Sequence, residues 1–377
     1  MLGDAPRLTL IVPAFNEALR LTERAARLED AVEGGILCPK TTELIVVDDG
    51  STDETGWRAE ELLSSTFHQL RVLRLHDNAG KGAAVRLGIA AATAPVLLFM
   101  DADMAVDPSA IPHIVKAVGP ADVAIGSRSH SESVVVTDGV QRKLMGWTFN
   151  AIVGALTSMP YRDTQCGFKA FRTSLARILF HLIQVRRFAF DVEVLSLARQ
   201  LQMEVAEVAV QWREIGNSTV RTLVDPLSMA RDVLSVSRRR EWPNTPALAI
   251  SPREGERRRS PSRIVTELHR ALGPNYPIVV MSEDQYLVLL PLCDPVVVQN
   301  IAANLRQLAT QLSVRERSVS FTQLTKLAPF GWRDGESDGI TIATPAHMAE
   351  FVTRVPVEGW ESLRSNAAEY ITSRPLG

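Results

Sequence analysis

Cysteine is scarce in this chain of 377 residues, which holds only Cys38, Cys166 and Cys293. Three widely separated cysteines predict neither a disulfide framework nor a zinc cluster, and they favour a reducing compartment. An excess of one charge sign is also missing, because 41 basic and 43 acidic residues leave a formal net charge of -2. This balance is unlike that of a strongly basic nucleic-acid-binding protein, so we expect no nucleic-acid partner.

Long hydrophobic runs are absent as well. The longest apolar stretch, residues 89–100, contains Thr93 and Pro95 and is shorter than the roughly 18 residues that predict a membrane span. The first few residues are acidic, lead directly into a predicted strand and do not have the pattern of a signal peptide. We therefore expect a cytoplasmic protein whose membrane contact is peripheral, at the cytoplasmic face.

Apolar runs alternate with amphipathic segments between residue 8 and about residue 210. This alternation predicts an α/β fold, with a mostly parallel, Rossmann-like sheet flanked by helices. The predicted strands are residues 8–12, 43–47, 70–75, 96–100 and 123–125, and the predicted helices are residues 17–33, 53–64, 81–92 and 108–118. Ligands of such sheets bind beyond the carboxyl ends of the strands, which is where polar clusters occur in this sequence.

The pattern changes after residue 236. Residues 237–263 contain eight arginines, three glutamates and four prolines, which predicts a flexible basic linker. Residues 264–377 again alternate between helical and strand patterns and predict a small α+β module with a regulatory or interaction role. Part of it, residues 282–291, faintly resembles the hairpin of diguanylate cyclase domains, but the Gly-Gly pair that a cyclase needs is missing. The domain prediction is thus 1–236, 237–263 and 264–377.

Three polar clusters follow the first predicted strands. Residues 12–17, Val-Pro-Ala-Phe-Asn-Glu, form a strand-to-helix corner in which Asn16 can cap the helix. Asp48 and Asp49 stand at the tip of the next strand, where a carboxylate could accept a hydrogen bond from a nucleobase or a ribose hydroxyl. Lys81 lies between two glycines at a helix start, and helix N-terminal amides favour an anion.

The most specific cluster is Asp101-Ala102-Asp103, which follows the fully apolar strand 96–100. Two adjacent hard oxygen donors suit Mg2+ or Mn2+ that is shared with a diphosphate. The alternative is a strand end with two solvated acids. The other clusters at the same predicted edge favour the metal site.

Together these clusters are similar to the motifs of glycosyltransferase family 2, which has the GT-A fold, and within it to the polyprenyl- and dolichyl-phosphate sugar transferases. The resemblance covers residues 8 to about 240 and extends to Gly126-Ser127-Arg128, Asp163-Thr164-Gln165-Cys166-Gly167-Phe168-Lys169 and Phe190-Asp191-Val192-Glu193. It implies a metal-dependent, inverting enzyme that moves a hexose to a polyprenyl phosphate at a membrane surface. The implied donor is UDP-glucose rather than a GDP-sugar.

The resemblance also implies roles for single residues. The nucleotide would be held by Pro13, Ala14, Glu17, Asp49, Lys81, Gly82 and Asp101, the metal by Asp101 and Asp103, and the acceptor phosphate by Arg128 and Arg142. The catalytic candidates are Asp163, Gln165 and Asp191. An ionised phosphate acceptor needs no strong base, whereas a hydroxyl acceptor would need one, with Asp163 or Asp191 nearest. Asp191 could equally be a helix N-cap, and Arg142 a solvated charge.

Two features leave alternatives open. Relatives usually carry a lysine where this sequence has Thr219, and Arg221 is a candidate substitute for it. The helical segment 226–236, followed by three arginines at 238–240, suits an anionic membrane surface, or a helix packed on the protein body. Besides transfer to a lipid phosphate, the sequence is therefore compatible with a transferase for hydroxyl acceptors and with a nucleotide-sugar sensor that has no turnover.

Overall fold

A computed structural model describes much of the chain, and its contacts divide the chain into two compact units. The first unit comprises Met1–Thr173, Ile183–Arg199 and Glu204–Arg240, and the second comprises Ser174–Leu182, Gln200–Met203 and Glu241–Gly377. The described residues are 5–136, 153, 157, 159–187, 189–213, 224–239, 241–252, 260–273, 275–282, 285–308, 312–328 and 341–343.

The described part of the first unit is built on a seven-stranded sheet with the strand order β3-β2-β1-β4-β7-β5-β8. Its strands are β1 (Leu8–Ala14), β2 (Thr42–Asp48), β3 (Gln69–Arg74), β4 (Val96–Met100), β5 (Val123–Ser127), β7 (Phe168–Arg172) and β8 (Val205–Ala209). All neighbours pair in parallel except β7, which is antiparallel to β4 and β5. The predicted α/β fold with a mostly parallel, Rossmann-like sheet is therefore confirmed.

Helices flank this sheet, and their apolar residues recur at helical spacing. In α1, Leu21, Ala25, Leu28 and Ala31 are buried, as expected for an amphipathic helix that packs one face on a sheet. The helices of the first unit are α1 (Ala18–Glu33), α2 (Thr55–Leu63), α3 (Lys81–Ala91), α4 (Ile111–Ala117), α6 (Phe190–Gln200) and α7 (Val224–Arg238), and α5 (Thr173–Leu182) follows β7 in the chain. In the described part of the chain, no helix is long and apolar enough to span a membrane.

The strand directions bring distant segments to one edge of the sheet. The parallel strands β1, β2 and β4 all end at this edge, so the residues that follow Ala14, Asp48 and Met100 are neighbours. Because β7 runs the other way, its first residue, Phe168, pairs with Met100. The loop that precedes Phe168 therefore lies beside the Asp101-Ala102-Asp103 cluster.

A short two-stranded sheet supports the same cluster. It consists of β6 (Val134–Val136) and β9 (Gln211–Arg213), which pair in parallel. The Arg213 amide donates to the Ala105 carbonyl at 2.8 Å, and the Asp107 amide donates to the Gln211 carbonyl at 2.9 Å. The loop after β4 is thus fixed on both sides of Val106.

The described part of the second unit contains a five-stranded sheet with the order β13-β10-β12-β11-β14. Its strands are β10 (Thr245–Pro252), β11 (Ile278–Ser282), β12 (Gln285–Leu289), β13 (Leu312–Val319) and β14 (Thr341–Ala343), and its helices after β10 are α8 (Pro261–Leu272), α9 (Pro295–Leu308) and α10 (Phe321–Leu327). The first four strands and two helices follow the order βαββαβ. The hairpin predicted from residues 282–291 is the β11–β12 pair, which is antiparallel.

The strand β10 corrects the prediction of a flexible linker over residues 237–263. It pairs with β12 on one side and β13 on the other, so it is an interior strand of its sheet. The charge that suggested a linker lies at the two ends of the segment, in the arginines near 239 and 258. Between them, Ala247, Leu248 and Ile250 are buried and form a core strand.

Candidate active site

The loops after β1 and β2 are hydrogen bonded to each other. The Asn16 amide donates to Ser51 Oγ at 3.0 Å, and the Thr52 amide donates to Asn16 Oδ1 at 2.9 Å. Asn16 has a positive φ of 53° and does not cap α1 as predicted. Instead, Asp53 Oδ2 accepts from the Ala18 amide at 3.2 Å. This cross-link shapes the corner formed by residues 13–17, in which Pro13 and Ala14 complete the buried end of β1.

Glu17 stands at this corner and is mostly buried. Its Oε1 is 2.8 Å from Arg20 Nη1. Burial raises the pKa of Glu17 to about 7, Arg20 opposes this shift, and the carboxylates of Asp103 and Asp101 reinforce it. The three carboxylates therefore lie close enough to repel one another, and a cation or a hydrogen-bond donor would relieve that repulsion.

Asp49 holds the start of α3. Its Oδ1 accepts from the Ala79 amide at 2.8 Å, and its Oδ2 accepts from the Gly80 amide at 2.9 Å. Burial raises the pKa of Asp49 to about 6 against the effect of these two hydrogen bonds. These two amides precede the helix, and the predicted binding of an anion at the N-terminus of α3 stays a prediction. Asp49 shapes the loop that precedes Lys81, and its role in holding a nucleotide stays a prediction.

Lys81 is the first residue of α3 and forms an ion pair with Asp101, with 2.6 Å between Nζ and Oδ1. Burial lowers the pKa of Lys81, but Asp101, Asp191 and Asp103 outweigh it and raise the pKa to about 12. The next residue, Gly82, is buried, and a Cβ there would lie 2.8 Å from Phe190 Cβ. Gly82 therefore allows α3 to pack closely on α6, a reason for glycine that the sequence did not reveal.

Asp101 and Asp103 follow β4 at the open edge of the sheet. The Asp101 amide donates to the Gly167 carbonyl at 3.1 Å, and Asp103 Oδ1 accepts from the Ala105 amide at 3.0 Å. Burial and the neighbouring Asp101 raise the pKa of Asp103. Two hard carboxylates that repel each other fit a divalent cation well. Among the described residues, no three His, Cys, Asp or Glu side chains form a metal cluster by themselves.

Asp163 and Arg128 form a second ion pair near this edge. Arg128 donates from Nε to Asp163 Oδ2 at 2.6 Å, and from Nη2 to Oδ1 at 2.9 Å. The Asp163 carboxylate also accepts from the Arg128 and Gln165 amides, at 3.0 and 3.1 Å. Burial tends to raise the pKa of Asp163, but Arg128 prevails and lowers it. Asp163 therefore clamps Arg128 and is poorly placed to accept a proton.

Three polar atoms around this clamp are buried and have no hydrogen-bond partner among the residues that the structure describes. They are Ser127 Oγ, Thr164 Oγ1 and the Gln165 amide nitrogen. A buried polar group without a partner costs about 1–3 kcal/mol, so such groups commonly mark the position of a water or a ligand. The predicted catalytic role of Gln165 stays a prediction, and its backbone amide donates to Asp163 Oδ1.

Asp191 lies in a third ion pair, which the sequence did not predict. Lys169 Nζ is 2.6 Å from Asp191 Oδ1, and both side chains are buried. Burial raises the pKa of Asp191, while Lys169 and Lys81 oppose the shift. Helix α6 begins at Phe190, so Asp191 belongs to its first turn and is not an N-cap. One signal was available, namely a lysine within the apolar strand Phe-Lys-Ala-Phe.

Some predicted residues lie outside the described residues. Arg142, Thr219 and Arg221 are among them. The role of Arg142 in binding the acceptor phosphate therefore stays a prediction, as does the replacement of the usual lysine at Thr219 by Arg221. Electrostatic interactions link five of the predicted residues, namely Glu17, Lys81, Asp101, Asp103 and Asp191. Arg128 and Asp163 are in direct contact.

The predicted membrane-facing helix, residues 226–236, lies within α7. Val233 and Val236 are buried, which favours the alternative of a helix packed on the protein body. Arg239 forms an ion pair with the buried Glu193, whose Oε2 also accepts from the Val185 amide at 2.7 Å. Arg239 is therefore not part of a solvated basic patch.

Replacing Arg239 with methionine should lower the free energy of unfolding by about 3 kcal/mol, because Glu193 would be left as a buried charge without its cation. Chemical denaturation followed by circular dichroism measures the change. Arg238→Met is the matched control, since Arg238 is exposed and its loss should change stability by less than about 0.5 kcal/mol. Equal effects of the two substitutions would contradict a structural role for the Arg239–Glu193 pair.

A mixed α/β sheet with an Asp-x-Asp cluster at its carboxyl edge is the arrangement expected of a glycosyltransferase of the GT-A type, and comparison with known proteins identifies the family. The chain belongs to glycosyltransferase family 2, whose family model, "Glycosyl transferase family 2", matches residues 9–179. The family predicted from the motifs is thereby confirmed.

Individual relatives are similar over about three fifths of the chain. Dolichyl-phosphate beta-glucosyltransferase of Drosophila melanogaster is 41% identical over 253 residues, covering 62% of this chain and 76% of the relative. The enzyme of the same name from Dictyostelium discoideum is 35% identical over 248 residues, covering 61% and 73%. Among solved structures, glucosyl-3-phosphoglycerate synthase from Mycobacterium tuberculosis, with Mn2+, UDP-glucose and phosphoglyceric acid, has a TM-score of 0.45 at 20% identity, covering 61% and 78%.

Proposed function

We propose that this chain is an inverting, metal-dependent transferase that moves glucose from UDP-glucose to a polyprenyl phosphate. Two of its relatives are dolichyl-phosphate beta-glucosyltransferases, and their activity supports the acceptor class and the sugar. Membership of glycosyltransferase family 2 supports sugar transfer itself. The choice between a phosphate and a hydroxyl acceptor depends on the site.

The observation that carries the proposal is that both candidate bases are committed to ion pairs. Asp163 accepts two hydrogen bonds from the Arg128 guanidinium, and Asp191 accepts one from the buried Lys169. A hydroxyl acceptor would need a base to remove its proton. A phosphate monoester has a second pKa of about 6 and arrives largely ionised at neutral pH, so it needs none. The site therefore suits a phosphate acceptor better.

Asp101 and Asp103 would hold Mg2+ or Mn2+ together with oxygens of the donor diphosphate. When bound, the ion would neutralise negative charge that develops on the leaving nucleoside diphosphate. Lys81 adds a fixed positive charge beside Asp101, 2.6 Å away. Because the ammonium is already positioned by its ion pair, little reorganisation is needed when the leaving group gains charge.

Arg128 would receive the acceptor phosphate. Asp163 occupies its Nε and one N–H of Nη2, so donors on Nη1 are not used by this pair. The guanidinium also lies over the Trp212 ring, 5.8 Å from its centroid. A guanidinium fixed on two sides can orient a phosphate oxygen for in-line attack, which is the main requirement when no proton has to be moved. Ser127, Thr164 and Gln165 supply polar atoms suited to the sugar hydroxyls.

The lipid acceptor requires access to a membrane, and we place the enzyme at the cytoplasmic face. An anionic surface would be contacted by parts of the basic segment other than Arg239, which is bound to Glu193. The C-terminal module predicted over residues 264–377 would regulate the enzyme or bind a partner.

Transfer assays test the proposal directly. The purified chain is incubated with a panel of UDP- and GDP-sugars and Mg2+ or Mn2+, with and without a short polyprenyl phosphate. We expect UDP-glucose to give a lipid-phosphate-dependent product that is lost in Asp103→Ala and retained in Asp30→Ala, an exposed control on α1. Metal-dependent donor binding without transfer would contradict the proposal. Transfer to alcohols would then indicate a hydroxyl acceptor, and no transfer at all would indicate a sensor.

A further inference from the structure

Lys169 is a fully buried charge in the middle of the main sheet. It lies on β7, between β4 and β5, and is paired in register with Phe99 and Ile125. None of its surface is exposed to solvent. A buried ammonium costs several kcal/mol unless it is paired and hydrogen bonded, so a position that only filled space would be better occupied by an apolar residue.

The Lys169 ammonium joins two parts of the site that are remote in sequence. Nζ donates to the Cys166 carbonyl at 2.6 Å and to Asp191 Oδ1 at 2.6 Å. It also lies 5.6 Å from the centre of the Phe99 ring, within range of a favourable cation–π interaction. The first contact fixes the turn before β7, and the second fixes that turn relative to the start of α6.

The same turn is in direct contact with Asp101. The Gly167 carbonyl accepts from the Asp101 amide at 3.1 Å. The approach is so close that a Cβ on Gly167 would overlap the Asp101 carboxylate. A shift of the turn would therefore move Asp101, which forms the ion pair with Lys81.

We infer that Lys169 is a positioning residue: its ammonium fixes the turn of Cys166 and Gly167, and through that turn it holds Asp101 in place. The inference deepens the proposed transfer reaction and rests on it for the role of Asp101. The position of the turn, however, can be measured without turnover. Lys169 acts on both sides of the site, because its charge also helps to lower the pKa of Asp163, the partner of Arg128.

The test compares hydrogen–deuterium exchange in full-length variants without any ligand. The main variant combines Lys169→Met with Asp191→Asn, so that neither buried position keeps a charge without a partner. Lys116→Met, which makes the same substitution at an exposed position of α4, is the matched control. Asp191→Asn alone would leave the buried Lys169 ammonium without its counter-charge, so it is not used as a control.

In the double variant, peptides covering residues 100–104 and 164–167 should exchange at least about tenfold faster than in the wild type, because their hydrogen bonds open more often. Peptides from α1 should be unchanged, and the control Lys116→Met should exchange like the wild type in all these regions. Unchanged exchange at residues 100–104 in the folded double variant would overturn the inference. If that variant does not fold, Lys169→Met with Asp191→Leu, which places apolar side chains at both buried positions and still removes the donor to Cys166, replaces it under the same criteria.

Transfer kinetics separate a positioning role from a purely structural one. We expect the double variant to lose about 100-fold in kcat/KM, since a displacement of about 1 Å at a reacting centre has effects of this size. The loss should persist at temperatures where the variant is fully folded. Wild-type kinetics in that folded variant would overturn the inference. If the wild type transfers no sugar, the proposed function fails, and the exchange data alone decide on the role of Lys169.

Discussion

Gly167→Ala is expected to remove most glycosyl transfer while leaving the protein folded. A Cβ at this position would overlap the carboxylate of Asp101, so the carboxylate has to turn away and its 2.6 Å pair with Lys81 is lost. Loss of one preorganised charged group at a reacting centre typically lowers kcat by about 10²–10³. The backbone of Gly167 does not have a positive φ, so alanine is tolerated there and stability should change by less than about 2 kcal/mol.

Steady-state kinetics and thermal unfolding of the same preparations check this expectation. Gly119→Ala is the matched control, because Gly119 is exposed and a Cβ there would have the Lys116 carbonyl at 3.3 Å as its close neighbour. We expect the control to keep both its activity and its melting temperature. Wild-type kcat/KM in Gly167→Ala would show that the position of the Asp101 carboxylate does not limit the reaction.

The sequence was most informative about the parallel part of the sheet. Strands β1, β2 and β4 are short apolar runs, each followed by polar residues, and this pattern is local. The direction of β7 is not a local property. Nothing in Phe-Lys-Ala-Phe-Arg distinguishes an antiparallel strand from a parallel one, because the apolar content of a strand depends on burial and not on its direction.

The linker prediction failed for a related reason. Charge and proline counts over 27 residues averaged two arginine-rich ends with the apolar centre of β10. Such composition measures describe a segment as a whole, whereas a strand of eight residues needs only a few apolar side chains. The buried residues Ala247, Leu248 and Ile250 are enough to make it an interior strand of the second sheet.

At the site, the sequence predicted which edge carries the chemistry but not which side chains are paired. Asp101 and Asp103 follow from their position after a buried strand. The pairs Arg128–Asp163 and Lys169–Asp191 join residues that are 35 and 22 positions apart. Their proximity results from the strand order β4-β7-β5, which no motif encodes. Asp163 and Asp191 were therefore predicted as candidate bases, and only the structure shows that both are held by cations.

The second large effect is expected for Asp163→Asn. The substitution removes the charge that holds Arg128, and a buried cation without its partner typically costs 3–5 kcal/mol of stability; we expect about 3 kcal/mol because the Arg128 side chain is 30% exposed. Transfer should fall by about 100-fold, mainly through a higher KM for the acceptor phosphate. The pKa of Asp163 is lowered in the folded protein, so its stabilisation is complete above about pH 4 and is lost as the pH falls further. The stability difference between wild type and variant should therefore shrink below pH 4.

A double-mutant cycle decides whether Asp163 acts as a clamp or as a base. Lysine cannot reproduce the bidentate contact of Arg128 with Asp163. If Asp163 is a clamp, Arg128→Lys should therefore lose nearly as much transfer activity as Asp163→Asn, and the double variant should lose little more than either single variant. If it is a base, Asp163→Asn alone should remove a titration from the pH–rate profile, while Arg128→Lys should leave that titration in place. Asp122→Asn is the matched control, since Asp122 is a mostly buried aspartate 3.9 Å from Arg172 at the opposite end of β5. It should lower stability without changing the KM for the acceptor, because no reacting group lies at that end of the strand.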